Sequence, residues 1–153
     1  MQLLRYSSSV TVNKPSEVVF RYLADPKLQS LWSDVPMRRL NGETGPMNSG
    51  SKFEVTFGKG PMKATLGLEI VGFEQGKRFG FKSFSGPIKW EGEYRLAPTA
   101  DGSGTELSQE GTLIFTGLWR LMEPMAGGEI RTGEIKELEK LKAVAEKDQT
   151  PGG

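Results

Sequence analysis

Proton transfer near neutrality usually falls to histidine, and this 153-residue sequence contains none; it contains no cysteine either. Tyr, Arg, Lys and carboxylates are left as reactive groups, while disulfides, thiolate nucleophiles and Cys or His metal ligands are removed together. The polar groups that strand alternation turns toward an interior are Tyr94, Gln109 and Ser83. Arg38 or Arg39 is placed to reach an opening, with Asp34 and Glu123 near its rim. A phenol beside a guanidinium polarises a ketone and stabilises the enolate of an aldol-type ring closure, which makes Tyr94 and Arg39 the candidate catalytic pair. The plainer reading of Tyr94, which outweighs the catalytic one, is a core tyrosine whose hydroxyl is bonded to Gln109 or to backbone. Glu54, Glu69, Glu91, Glu93, Glu106 and Glu110 alternate onto the opposite side and read as a solvated sheet face. No carboxylate cluster has metal-ligand spacing, so no metal or other cofactor is expected. The stretches GKGPMK and DGSGTE are glycine-rich but open no helix, and read as hairpin turns rather than phosphate cradles. Arg38-Arg39 and Lys77-Arg78 are isolated pairs in a chain of net charge +1, which offers no basic stripe to nucleic acid.

The elements that must position these residues follow from periodicity. Residues 2 to 12 are rich in Val, Thr, Tyr and Ser and read as a first strand. In KPSEVVFRYLAD, Pro15 and Glu17 suit a first helical turn, and Asp25-Pro26 ends that helix and starts a second short one, KLQSLW. From Met37 to Phe115 the period is two, with strands over 36–40, 52–57, 62–73, 78–85, 88–96 and 105–115 cut by Gly-rich turns. One face of these strands carries Phe53, Val55, Phe57, Leu66, Leu68, Phe79, Phe81, Ser83, Trp90, Tyr94, Gln109 and Leu113. Being apolar, it must be covered. The element long enough to cover it is a C-terminal helix over 118–147, roughly 45 Å if continuous, with Ile135, Leu138, Leu141, Val144 and Ala145 as its stripe. Traced backward, the stripe passes Thr132 and Gly128 to Met125 and Leu121, and the stretch EPMAGGEIRTGEIKEL places Pro124, Gly127, Gly128 and Gly133 inside a helix. Pro costs roughly 3 kcal/mol there and Gly about 1. A helix that withholds bulk above a concave sheet implies a cavity, or a close or bent helix approach.

This order resembles the helix-grip proteins of the SRPBCC, or START-related, superfamily, which includes birch-pollen-allergen-like and polyketide cyclase/dehydrase-like proteins. The resemblance rests on SVTVNKPSEVVFRYLADPKLQSLW, on NSGSKFEV entering the sheet and on the closing IKELEKLKAVAE, and covers nearly the whole chain. It implies an α+β fold, order β-α-α-β-β-β-β-β-β-α, in which a curved antiparallel sheet of about seven strands wraps a long C-terminal helix. Residues 1–147 are expected to form one domain and 148–153 a frayed tail. The resemblance also implies a deep apolar pocket holding a lipid, polyketide or other aromatic or isoprenoid-like molecule, with Phe53, Val55, Phe57, Leu66, Leu68, Phe79, Phe81, Ser83, Trp90, Tyr94, Gln109, Leu113, Leu121, Met125, Gly128 and Thr132 as its expected lining. Such a site usually measures roughly 300–1,000 Å³. Met47, Met62, Met122 and Met125 are either adaptable pocket surface or gap fillers. Carrier, cyclase- or hydratase-like enzyme using Tyr94 and Arg39, and protein-interaction module all remain open for this fold. Leu118 and Trp119 at the helix start suit a partner or a homodimer contact. With no apolar run of signal or membrane-span length, a cytoplasmic protein without integral membrane association is expected.

Overall fold

The computed structural model describes residues 3–33, 35, 37–40, 47–57, 63–117 and 123–148. The element order is β1 (Leu3–Val12), α1 (Ser16–Ala24), α2 (Pro26–Gln29), β2 (Met37–Arg39), β3 (Lys52–Phe57), β4 (Ala64–Glu74), β5 (Arg78–Ser85), β6 (Ile88–Pro98), β7 (Thr105–Phe115) and α3 (Glu123–Glu146). Each expected strand is present, shifted by at most two residues at an end. Local chemistry sets the helix boundaries. Pro15 precedes α1 and its carbonyl accepts from the Val18 and Val19 amides. The Asp25 carboxylate then caps α2 by accepting from the Lys27 amide at 2.9 Å, with Pro26 in the first turn.

The strands form one seven-stranded antiparallel sheet in the order β1-β7-β6-β5-β4-β3-β2. The first strand is thus carried to the far edge to pair with the last. Register shifts between Gly67 and Leu68 and between Val71 and Glu74 interrupt the β4–β5 ladder, and such bulges bend a sheet. The helices lie on the face defined by Phe53, Leu66, Phe79 and Leu107, all buried. This is the helix-grip arrangement.

α3 runs as a helix through Pro124, Gly127, Gly128 and Gly133. Residues 118–122, where the sequence placed the helix start with Leu118, Trp119 and Leu121, lie outside the described residues. Its covering face differs from the expected stripe. Leu138, Leu141 and Ala145 are buried, but Ile135 is 48% exposed and Thr132 is exposed as well. Tracing a helix backward in steps of three explains the error. Each residue turns about 100°, so every such step drifts about 60° off the starting face.

Polar contacts hold the end of α3 against β1 and α1. Lys142 Nζ donates to the Thr11 carbonyl at 2.6 Å, and Glu146 Oε2 accepts from Lys142 Nζ at 2.8 Å and from the Asn13 amide at 3.1 Å. Arg21 pairs with Asp148 at 2.6 Å. The hydrogen bond from Lys142, then that from Asn13, holds the Glu146 carboxyl below the ordinary value of 4.5. The folded state therefore binds this proton less readily than the unfolded chain. The resulting stability is present above pH 4.5 and is lost as pH falls through the depressed value. Glu146→Gln is expected to flatten this part of the acid limb in thermal melts recorded by circular dichroism, leaving the remaining carboxylates to set the slope.

Candidate ligand cavity

Between the sheet and the helical layer, the described residues line a partly open cavity of about 80 Å³. Its sheet wall comes from Met37 on β2, Phe53 and Val55 on β3, Leu68 and Ile70 on β4, Phe79 and Phe81 on β5, and Trp90 and Tyr94 on β6. Period-two alternation puts all of them on the one face that the helices cover. The opposite wall is built by Leu23 of α1, Gln29 of α2, Trp32, Ser33 and Val35 of the following turn, Met47, and Glu137 of α3.

The rings are held in place. Trp32 Nε1 donates to the Tyr22 carbonyl at 2.8 Å, and Trp90 Nε1 donates to Tyr6 Oη at 2.9 Å. Phe81 packs edge-on against Trp90 with centroids 4.6 Å apart, and Tyr94 lies 5.3 Å from Phe79. The polar groups gather where the turn after α2 meets α3. Ser33 Oγ donates to Glu137 Oε1 at 3.1 Å and accepts from the Val35 amide at 3.3 Å. Apolar walls with a few convergent polar groups are the usual composition of a small-molecule site.

The profile of the family described as polyketide cyclase/dehydrase and lipid transport matches residues 4–146. The chain belongs to this family. Solved structures with the same fold as this polyketide cyclase/dehydrase and lipid transport family member include TTHA0849 from Thermus thermophilus, at TM-score 0.75 and 17% identity, covering 92% of this chain and 96% of that one. The ZhuI aromatase/cyclase from Streptomyces sp. R1128 is similar at TM-score 0.75 and 15% identity, covering 95% and 94%. Ara h 8.0201 is similar at TM-score 0.68 and 13% identity, covering 96% and 100%. At such identities the likeness carries the fold alone. Among curated protein sequences no significant match is found.

Of the expected lining, the structure brings Phe53, Val55, Leu68, Phe79, Phe81, Trp90 and Tyr94 to the cavity of this family member. Leu66 and Leu113 are buried on the same sheet face, beside Val55 and Trp90, but are not among the residues of the described cavity wall. Ser83 Oγ accepts from the Trp90 amide at 3.0 Å, and Gln109 Nε2 donates to Ser8 Oγ at 3.1 Å, so both tie neighbouring strands together. Thr132 is exposed and is no part of the described wall. Leu121, like Met62 and Met122, lies outside the described residues, as do the side chains of Phe57 and Met125; Gly128 is placed only as a backbone position in α3.

The structure does not bring Tyr94 and Arg39 to one point. Arg39 stands over the Phe53 ring at 5.6 Å on the edge strand β2, and three strands separate it from β6. Four strand spacings of about 4.8 Å amount to roughly 19 Å of sheet surface. The cavity is also smaller than expected from a typical ligand site, because Phe20, Phe73 and Phe79 fill part of the concave face with mutual ring contacts of 5.5 to 6.1 Å. Close approach of helix and sheet is not what keeps Gly133 small, since an added Cβ there meets no atom within 4 Å.

Gln29, Ser33 and Glu137 are wall residues outside the expected lining. The charge of Glu137 and its spacing to Lys140 suit the solvated side of the helix, yet it precedes Leu141 and Ala145 at intervals of four. That spacing places it on the covering face. Among the described residues, no group of three or more Asp, Glu, His or Cys side chains could hold a metal ion, and no helix is long and apolar enough to cross a membrane. A wider hollow of about 670 Å³ opens to solvent beside Arg5, Glu91, Glu93 and Glu110. Its charged rim does not suit an apolar guest.

Proposed function

We propose that this protein binds a small hydrophobic molecule, such as a lipid, polyketide or other aromatic or isoprenoid-like compound, between its sheet and its C-terminal helix. The observation that supports this reading best is the cavity wall, whose described residues are mostly aromatic and aliphatic side chains, with Gln29, Ser33 and Glu137 on the helical side and Tyr94 on the sheet side. Removing apolar surface from water contributes about 25 cal/mol per Å². A one-ring guest burying about 150 Å² would gain on the order of 4 kcal/mol before ordering costs, which corresponds to roughly millimolar binding. Tighter binding requires a larger guest and a shift of the helical layer away from the sheet.

Native mass spectrometry of the freshly purified protein, followed by solvent extraction and analysis of what is released, tests the proposal. A bound or bindable apolar molecule at unit stoichiometry is the expected result. A protein that carries nothing and takes up no aromatic or isoprenoid probe would refute it. The cyclase-like alternative rests on Tyr94, whose ring is part of the wall, and predicts turnover that Tyr94→Phe abolishes while affinity survives.

A further inference from the structure

We infer that Phe79 sets the upper size of the guest, that Phe73 is the positioning residue which holds it there, and that the site takes single-ring or short-chain apolar molecules in preference to fused-ring and long-chain ones. This rests on the ligand-binding reading and adds the size class of the ligand.

Phe79 lines the cavity, whereas Phe20 and Phe73, which pack against it, are not among the residues of the described wall. Phe79 is therefore a partition, with space for a guest on one side and two rings on the other. The three rings form a closed triangle. Phe20 of α1 meets Phe73 edge-on with centroids 5.5 Å apart and Phe79 edge-on at 6.0 Å, and Phe73 lies 6.1 Å from Phe79. On the sheet, Tyr94 adds a fourth ring 5.3 Å from Phe79. In a packed interior a ring so surrounded cannot swing away from a guest unless its neighbours move as well.

Phe73 reaches this position because β4 carries an extra residue. Ile70 faces the cavity, and plain alternation would turn Phe73, three positions on, to the opposite face of the sheet. Between the pairs Val71–Gly80 and Glu74–Arg78, however, β4 advances three residues while β5 advances two. Gly72 and Phe73 thus stand together opposite Phe79. Gly72 adopts φ +60°, a conformation that glycine takes without the strain a side chain would bring. The bulge restores Phe73 to the helix side, where it meets Phe20 and closes the triangle behind Phe79. The cavity stays at about 80 Å³ because rings occupy the ground into which a longer guest would extend.

The test uses toluene, propylbenzene and pentylbenzene, with binding followed by NMR through the indole N–H signals of Trp32 and Trp90, both in the cavity wall. Each methylene taken out of water raises affinity about fourfold for as long as the site has room. In the unaltered protein this gain is expected to stop, so that pentylbenzene binds no more than about twofold more tightly than propylbenzene. In Phe79→Ala and Phe73→Ala the gain is expected to resume, with pentylbenzene favoured at least about tenfold. Leu107→Ala is the control for general loosening, since Leu107 is buried on the same face but is not in the described wall; it should keep the ratio of the unaltered protein. A tenfold preference for pentylbenzene in the unaltered protein overturns the inference without recourse to a variant, which covers variants that fail to fold. A ratio in folded Phe73→Ala no higher than in Leu107→Ala overturns it equally. If none of the three probes binds the unaltered protein, the ligand-binding reading falls and takes the inference with it. If they bind and the gain with length never stops, only the inference falls.

Discussion

Replacing Gly111 by alanine is expected to cost about 3 kcal/mol, the upper part of the range for forcing extra atoms into a packed core. In a chain of this size that lowers the melting temperature by roughly 6–12 °C. The residue lies at the centre of the ladder where Tyr6 of β1, Gly111 of β7 and Gly92 of β6 stand side by side. The Tyr6 ring lies flat across this row, so that a Cβ on Gly111 would fall among its Oη, Cζ and Cε1 atoms, with Cε1 at 2.6 Å. Retreat is blocked on the other side. The ring is buried, and its hydroxyl accepts from Trp90 Nε1 at 2.9 Å. Gly92 is held small in the same way, because a Cβ there would come within 2.6 Å of Phe81 Cζ and 3.1 Å of Tyr6 Oη. The two glycines therefore make the trough in which Tyr6 lies, and Tyr6 in turn positions a cavity-wall tryptophan. A double-mutant cycle checks the cause. In a Tyr6→Ala background, Gly111→Ala should cost less than about 1 kcal/mol, leaving a coupling of about 2. Simple additivity of the two losses would show that the penalty arises elsewhere.

That trough marks the limit of what the sequence discloses. Gly92, Gly111 and Tyr6 are each visible as residues on alternating strands, but their meeting depends on β1 crossing to the far edge of the sheet to pair with β7. Nothing local encodes that pairing. The strands themselves are legible because alternation and glycine-rich turns act within a few residues, and Phe53, Leu68, Phe81 and Trp90 fall on the correct face for that reason. The helix is less legible. Its last turns carry large apolar residues that fix the phase at Leu138, Leu141 and Ala145, whereas the stretch before them offers glycines and charges from which no phase can be read. Thr132 and Ile135, placed on the stripe by short steps, are exposed, while Glu137, whose charge argues for solvent, lies on the covering side. Ser33 and Gln29 come from a four-residue helix and its following turn, too short for any period to show. The polar corner of the cavity is thus the part that sequence periodicity misses.

Phe81→Ala should be among the most destabilising single changes, at about 3–5 kcal/mol, and also the one most fully reversed by a guest. Phe81 is 7% exposed, fills the space between Trp90 at 4.6 Å and Tyr94 at 6.3 Å, and forms part of the wall of the 80 Å³ cavity. Removing its ring joins the vacated volume to a space that is already open. The combined void approaches or exceeds the size of about 150 Å³ at which an apolar cavity takes up benzene. Two opposing effects then act on the melting temperature. The lost contacts lower it by on the order of 10 °C, and a ligand that binds only the folded form raises it by mass action, contributing about 2.7 kcal/mol at a hundredfold excess over its dissociation constant. Naphthalene, which enters the unaltered cavity only if the helical layer lifts, separates them: it is expected to restore much of the loss in Phe81→Ala while raising the original protein's melting temperature far less. Equal stabilisation of both proteins would mean that the helical layer already lifts to admit two rings. Loss without rescue would mean that Trp90 and Tyr94 collapse into the gap, in which case the rings around the cavity are held by one another and the hydrogen bond from Trp90 to Tyr6 is too weak to keep the wall in place.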